Sequence, residues 1–179
     1  MNGPNADIDV LLVAPRHVDR NKHFFGVLSN ILRQTSDVTE VVDVIDSIVP
    51  VIKLKFEGVD MDILFARVEQ REVGSNLENL SDNSILRNCD KTSIRSLNGC
   101  RVTDMILKLV PVKENFELTL RCIKLWAKNR GVYSNILGYF GGVTWAMLVA
   151  KICILNPRMA PSRLLMTFFS YFKDYPWGA

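Results

Sequence analysis

The sequence predicts an α+β fold in which a β-rich unit is followed by a mostly helical unit. The chain has 179 residues, enough for one sizeable domain or two small ones, and 48% of them are hydrophobic, enough to bury a core. Short runs of β-branched residues dominate the first third, whereas longer segments with helical spacing dominate the second half. A polar stretch over about residues 70–90 separates the two and predicts a crossing loop.

The chain begins with a predicted strand and helix. Ile8 and residues 10–14 form a short apolar run that ends at Pro15, which is typical of a buried strand. Asp19 can then cap a helix over about residues 20–33, because a carboxylate accepts hydrogen bonds from the free N–H groups of a first helical turn.

Three more strands are predicted before the polar stretch. Residues 38–44 are rich in β-branched side chains. Residues 51–56 and 59–66 are two further apolar runs, separated by the dipeptide Glu57-Gly58. A two-residue connection with glycine predicts a hairpin.

The second half predicts four helices. Proline and glycine residues separate its apolar segments, and these residues end helices or prevent their continuation. The predicted helices cover about residues 99–109, 115–129, 142–155 and 162–172.

Composition narrows the possible functions. The net charge of +3 is compatible with an anionic partner without requiring one. The four cysteines include no Cys-x-x-Cys pair, which argues against a zinc site. The chain begins without a signal segment, so we expect free thiols in a reducing compartment. The most apolar run, residues 143–155, is shorter than the roughly 20 residues of a membrane span, and no membrane partner is expected.

Two aspartates stand at the start of the first predicted strand. Asp7 and Asp9 flank Ile8, so both carboxylates would leave one face of the strand while Ile8 enters the core. Asp62 lies on a later strand and would complete a three-carboxylate site if the two strands are neighbours. Such a site suits Mg²⁺ or Mn²⁺. Many Asp-x-Asp pairs simply lie on a solvated strand face, and spacing alone does not decide between these readings.

Several long segments support a more specific interpretation. In chain order they read GPNADID, VPVIKLKFEGVDMDILFAR, IRSLNGCRVTD and LTLRCIKLWAKNRGVYSNILGYFGGVTWAML. Together they resemble the eukaryotic nuclear poly(A) polymerases over nearly the whole chain. The resemblance implies a DNA-polymerase-β-like nucleotidyltransferase domain over residues 1–70, with a mixed sheet and a flanking helix. It also implies the family's central helical domain over residues 71–179, both domains being present in part.

The resemblance implies an activity and its partners. Members of the family use ATP to add AMP to RNA 3′ ends, with Mg²⁺ or Mn²⁺, and release pyrophosphate. The implied partners are therefore an RNA 3′ end, ATP and the factors of mRNA 3′-end cleavage and polyadenylation, and the implied location is the nucleus.

The resemblance also assigns roles to residues. The implied catalytic and metal-binding set is Asp7, Asp9 and Asp62. In this resemblance Lys124 would contact the phosphates, Tyr133 the nucleotide and Asn135 the sugar or base, while Gly142 and Val143 would belong to the adenine pocket. The full set of implied ATP contacts is Gly3, Asp7, Asp9, Asp62, Lys124, Tyr133, Asn135, Gly142 and Val143. The implied contacts to the RNA primer end are Lys53 and Asn98. Without the resemblance, Lys124 reads as a solvent-facing lysine on an amphipathic helix, and Tyr133 as an ordinary aromatic beside a turn.

The chain departs from the family pattern at both ends. The family's Gly-Ser phosphate-binding segment would precede Met1, Asn5 stands where the family usually has glycine, and the chain ends inside the central domain. We therefore expect a fragment with low solubility or marginal stability and with weak or no adenylyl transfer, as in a truncated isoform, a partial gene model or a degenerate copy. The alternative is a non-catalytic relic that binds nucleotide or RNA without turnover. A purely structural helical adaptor is a third reading.

Overall fold

A computed structural model describes residues 7–74, 80 and 82–178. Within this part the chain divides into two compact units, one up to Val102 and one from Thr103 onwards. The predicted domain boundary at residue 70 falls inside the first unit and stays a prediction. In these described residues, no helix combines the length and the apolar character that crossing a bilayer requires.

A four-stranded mixed sheet lies at the centre of the first unit. Its strands are β1 (Ile8–Ala14), β2 (Val38–Val44), β3 (Val51–Phe56) and β4 (Val59–Arg67). Their order across the sheet is β1-β4-β3-β2, with β1 and β4 parallel and the other two pairs antiparallel. All four predicted strands are therefore confirmed, and so is the α+β fold.

The hairpin between β3 and β4 also forms as predicted. Its two loop residues, Glu57 and Gly58, have φ angles of 47° and 81°. Positive φ at both positions is the pattern of a type I′ turn, whose twist matches that of the flanking strands. This tight turn fixes the register between β3 and β4, which matters for the site described below.

Strand β1 is less buried than predicted. Ile8 was expected to enter the core, but it is 48% exposed, whereas Ala14 at the other end of the strand is 4% exposed. The reason is position, because β1 is an edge strand and Ile8 is its first residue. The expectation for Ile8 was therefore wrong.

The helix after β1 starts where it was predicted but winds differently. The Asp19 side chain accepts a hydrogen bond from the Lys22 N–H at 2.8 Å and caps the helix. Residues Arg20–Leu28 then form a π-helical segment that continues into α1 (Ser29–Gln34). In this wider winding the adjacent Phe24 and Phe25 are both buried in the core beneath the sheet.

Helix α2 (Lys91–Leu109) begins well before the predicted start near Gly99. Asp90 explains the difference, because its carboxylate accepts the Ser93 N–H at 2.9 Å and so caps the first turn. A short 3₁₀ turn, Asn83–Leu86, precedes it within the predicted loop.

The second unit is helical, as predicted. Its main helices are α3 (Lys113–Asn129), α4 (Gly142–Leu155) and α5 (Pro161–Lys173). Each helix turns an apolar face towards the other two, and the large side chains buried there include Phe116, Ile123, Trp145, Ile152 and Phe168. This core holds the C-terminal part of α3 near the N-terminus of α4, where several of the predicted ATP-contacting residues lie.

Candidate functional site

The sheet brings two of the predicted metal ligands together. Asp9 on β1 and Asp62 on β4 are directly paired in the register of these neighbouring parallel strands. Asp7 lies two residues before Asp9, just ahead of the first residue of β1, and its charge acts on Asp9. The sequence left open whether the strands carrying Asp9 and Asp62 are neighbours, and the structure shows that they are.

The charges of these carboxylates influence one another. Partial burial raises the pKa of Asp9, and repulsion from Asp62 and then from Asp7 raises it further. Nearby Lys53 lowers the pKa of Asp9 but does not cancel the increase. Asp7, Asp9 and Asp62, called the first group below, thus form a locally negative region in which the ionised form of Asp9 is disfavoured. A positive charge nearby would reduce this repulsion.

Lys53 contacts this group directly. It lies on β3 opposite Asp62 in the antiparallel register, and its Nζ is 2.5 Å from the Asp62 Oδ2. The hydrogen bond to Asp62 raises the pKa of Lys53, against the smaller opposing effect of burial, and the charges of Asp62, Asp7 and Asp9 add to the increase. The resemblance assigns Lys53 to the RNA primer end, and nothing in the sequence indicates this ion pair.

The donor chemistry of the group fits a divalent cation. Carboxylate oxygens are the ligands that Mg²⁺ and Mn²⁺ prefer, and Asp9 and Asp62 present them from adjacent strands. Within the described residues, however, no group of three His, Cys, Asp or Glu side chains is arranged to hold a metal ion. The Asp62 carboxylate is engaged by the Lys53 ammonium instead. Asp9 and Asp62, with Asp7, are the residues that would hold a metal.

A second group of predicted residues meets in the helical unit. Gly142 is the first residue of α4, and a Cβ on it would lie 2.9 Å from the Tyr133 hydroxyl and 3.6 Å from the Lys124 Nζ. Lys124 comes from α3 and Tyr133 from the loop between α3 and α4. Three residues to which the resemblance assigned ATP contacts are therefore neighbours.

This second group is positively charged. Burial lowers the pKa of Lys124, and repulsion from Lys128 adds to the effect. Lys124 takes part in no ion pair formed among the described residues. The adjacent N-terminus of α4 has neither a side-chain cap at Gly141 nor an acidic residue in its first turn. Free N–H groups at a helix start attract anions, so cation and helix end favour the same kind of ligand.

Lys128 is a member of this group that the sequence prediction missed. Its Nζ lies 5.3 Å from the centroid of the Tyr133 ring. The available signal was spacing, since Lys128 is one helical turn after Lys124 on α3 and shares its face. Burial raises the pKa of Tyr133, so its hydroxyl stays protonated and able to donate a hydrogen bond.

The remaining predicted residues are less enclosed. A Cβ on Gly141 would lie 3.5 Å from the Asn135 Cβ, which places Asn135 beside the start of α4. Val143 is 50% exposed, and Asn98 lies exposed on α2. Gly3 falls outside the described residues. The structure therefore brings most of the predicted residues into two local groups, and the roles assigned to all of the predicted residues remain predictions.

Comparison with known sequences identifies the family. The sequence model of the poly(A) polymerase nucleotidyltransferase domain matches residues 1–110, and that of the poly(A) polymerase central domain matches residues 115–179. The chain belongs to the poly(A) polymerase family. The resemblance drawn from its sequence motifs is thereby confirmed.

Individual members of the poly(A) polymerase family are similar over the whole chain. A poly(A) polymerase of Dictyostelium discoideum is 49% identical over 179 residues, and nuclear poly(A) polymerases 4 and 1 of Arabidopsis thaliana are each 49% identical over 177 residues. These matches cover 99–100% of this chain but only 22–25% of the relatives. The chain thus spans about a quarter of the length of these relatives.

Proposed function

We propose that this chain carries part of the machinery that transfers AMP from ATP to the 3′ end of RNA, with release of pyrophosphate. The observation that carries the proposal is the pairing of Asp9 with Asp62 across β1 and β4 in a member of the poly(A) polymerase family. Acidic side chains aligned in this way provide the oxygen ligands that nucleotidyl transfer requires.

The first group of residues would bind metal ions. In this proposal Asp7, Asp9 and Asp62 hold Mg²⁺ or Mn²⁺, which when bound supplies positive charge to the reacting hydroxyl and the leaving phosphate. Strand pairing between β1 and β4 holds two of the three ligands, so their spacing depends on the sheet rather than on a mobile loop. Lys53 and the exposed Asn98 would contact the RNA primer end.

The second group would bind the nucleotide. Lys124 supplies a positive charge for the phosphates, and Tyr133 offers a hydroxyl and an aromatic face. Gly142 leaves space beside both of them. Asn135 would contact the sugar or base, and the exposed Val143 would pack on adenine; Gly3 is a further ATP contact in this proposal.

The names of relatives suggest a setting for this activity. Two of the Arabidopsis thaliana relatives are named nuclear poly(A) polymerases. We extend this to a nuclear location and to mRNA polyadenylation for this chain, with 3′-end cleavage and polyadenylation factors as partners. The division into a nucleotidyltransferase part over residues 1–70 and a central part over residues 71–179 belongs to the same proposal.

A primer-extension assay tests the proposal. The 179-residue chain is incubated with ATP, an oligo(A) primer and Mg²⁺ or Mn²⁺, and primer length and pyrophosphate are measured. We expect slow extension that Asp62→Asn abolishes. Asp60→Asn is the matched control, because Asp60 lies on the same strand with its side chain 61% exposed. Extension that persists at full rate in Asp62→Asn would disprove the proposed role of that carboxylate.

Nucleotide binding without turnover is the second candidate function. The observation in its favour is that the Lys53 ammonium engages Asp62, while Lys124 and the start of α4 form a separate anion-attracting group. In that case ATP binds with equal affinity with and without Mg²⁺, and no variant or metal produces primer extension. Metal-dependent ATP binding that Asp9→Asn removes would instead support the transferase.

A further inference from the structure

The ion pair between Lys53 and Asp62 is built into the sheet. The two residues are partners in the antiparallel register of β3 and β4, which the two-residue turn between these strands fixes. Their charged atoms are 2.5 Å apart, and the side chains are 49% and 20% exposed. Backbone pairing therefore keeps the ammonium within reach of the same carboxylate that would bind a metal ion.

We propose that the Lys53 ammonium competes with the divalent cation for the Asp62 carboxylate and leaves it when the metal binds. This inference rests on the proposed metal site and concerns a residue that would not itself be a ligand. Lys53 is thus a positioning residue, which lowers metal affinity and holds Asp62 in place when no metal is bound.

Charge and distance support the competition. An ammonium that already hydrogen-bonds one oxygen of Asp62 must be separated from it, and any dication held by the same carboxylate lies close enough to repel it. Because both side chains are partly exposed, solvent reduces these effects, and the pair alone contributes modestly. From these two effects combined, we expect that removal of the Lys53 charge tightens metal binding about tenfold.

The same lysine benefits the metal-free protein. Asp62, Asp7 and Asp9 repel one another, and Lys53 is the cation that offsets part of the repulsion at Asp9. A positive side chain at this position therefore allows the carboxylates to remain close in the absence of metal. Lys53 therefore stabilises the metal-free protein and, for the same reason, lowers its affinity for the metal ion.

Direct measurement of Mn²⁺ binding tests the proposal without relying on activity. The 179-residue chain is titrated with Mn²⁺, and free Mn²⁺ is followed by its electron paramagnetic resonance signal. We expect Lys53→Gln to bind Mn²⁺ about tenfold more tightly than wild type. Lys53→Met, which keeps the apolar stem, is a second neutral variant in case the first does not fold, and Lys53→Arg should retain the wild-type affinity or weaken it.

The matched control is Lys55→Gln. Lys55 lies two residues further along β3 and pairs with Glu40 at 3.0 Å and Asp60 at 3.8 Å rather than with Asp62. Removing its charge should change Mn²⁺ affinity less than twofold. Circular dichroism of each variant confirms that the chain is folded.

The outcomes separate this inference from the proposed function. If Asp9→Asn abolishes Mn²⁺ binding but both neutral variants at Lys53 bind as wild type or more weakly, the competition is disproved and the metal site stands. If neither wild type nor the neutral variants bind Mn²⁺, both the site and the inference fail. Equal tightening by the variants at Lys53 and Lys55 would also refute it, because general charge would then be the cause.

Discussion

The hydroxyl of Tyr133 lies 2.9 Å from the point where a Cβ on Gly142 would stand. Gly142 begins α4 and is not among the glycines with positive φ, so its backbone suits any L-residue. Space is what requires glycine here. The absent side chain lets Tyr133 and Lys124 approach the start of the helix together.

Gly142→Ala tests this use of space. The added methyl group would displace the Tyr133 hydroxyl and crowd Lys124, so we expect affinity for ATP to fall about tenfold, which corresponds to about 1.4 kcal/mol. Equilibrium binding of ATP measures it. Gly99→Ala is the control, because a Cβ there meets nothing within 4 Å on a helix, and we expect unchanged binding with stability raised by up to about 1 kcal/mol. Wild-type ATP affinity in Gly142→Ala would show that Tyr133 does not contact the nucleotide.

Lys124→Met tests the charge of the second group. A charged hydrogen bond to phosphate contributes about 1.5–3 kcal/mol, so we expect ATP affinity to fall about 10- to 150-fold while adenosine affinity changes little. Comparing ATP with adenosine separates the loss of a phosphate contact from damage to the pocket.

Lys151→Met removes the same charge elsewhere in the helical unit. The Lys151 Nζ lies 4.9 Å from the ring centroid of Tyr175, away from the group around Lys124 in sequence and contacts. Its ATP affinity should remain within twofold of wild type. An equal loss of affinity in both variants would indicate that net charge, and not a specific contact, is responsible.

Local patterns in the sequence were sufficient to predict most of the fold. The strands and the β3–β4 hairpin depend on short runs and a two-residue turn, which are local signals. The start of α2 was missed because the capping residue Asp90 lies in a polar stretch that reads as a loop. The π-helical winding of Arg20–Leu28 was also missed, since it depends on how two adjacent phenylalanines pack against the sheet.

The sequence motifs identified most residues of the candidate site but did not show how these residues are arranged. Motifs identified Asp9 and Asp62, but only strand order and register show that they are paired. The ion pair between Lys53 and Asp62 depends on the register of β3 against β4, and the residue types alone do not indicate it. Lys128 could have been found from its helical spacing to Lys124, whereas its approach to the Tyr133 ring depends on the path of the following loop.

Ser93→Ala tests a polar network in the first unit. The buried Ser93 hydroxyl accepts hydrogen bonds from the Arg20 guanidinium and the Arg67 N–H, each at 2.9 Å, and donates to Asp90 at 2.7 Å. Its removal takes the acceptor from the partly buried Arg67 N–H and one of two acceptors from the Arg20 guanidinium, which keeps Asp90 at 3.1 Å. We expect a loss of about 1–3 kcal/mol in the free energy of unfolding. Ser96→Ala is the control. Ser96 is also buried on α2, but its hydroxyl donates to the Thr92 carbonyl one turn earlier in the same helix, so a smaller loss is expected in denaturant titrations.

The same network predicts a response to acid. Burial raises the pKa of Asp90, but the hydrogen bonds from Ser93 and Arg20 outweigh it, and the net pKa is lowered. The ionised carboxylate therefore stabilises the folded state at pH values above the unfolded pKa, and this contribution is lost as pH falls through the folded pKa. We expect Asp90→Asn to be less stable than wild type at pH 7 and to lose part of the acid dependence. Parallel pH profiles of unfolding for the two proteins would contradict this.

Asp9→Asn should have opposite effects with and without metal. Burial and repulsion from Asp62 and Asp7 raise the pKa of Asp9, so the folded protein binds its proton more tightly than the unfolded chain. Ionisation of Asp9 therefore weakens folding progressively as pH rises from the unfolded pKa to that raised pKa, and the neutral variant should have a higher melting temperature than wild type at pH 7 without metal. In Mn²⁺ at one hundred times the Kd, wild type should gain about 2.7 kcal/mol and the variant should not. Thermal melts with and without Mn²⁺, with Asp60→Asn as control, measure both effects. A variant that is stabilised by Mn²⁺ as strongly as wild type would remove Asp9 from the metal site.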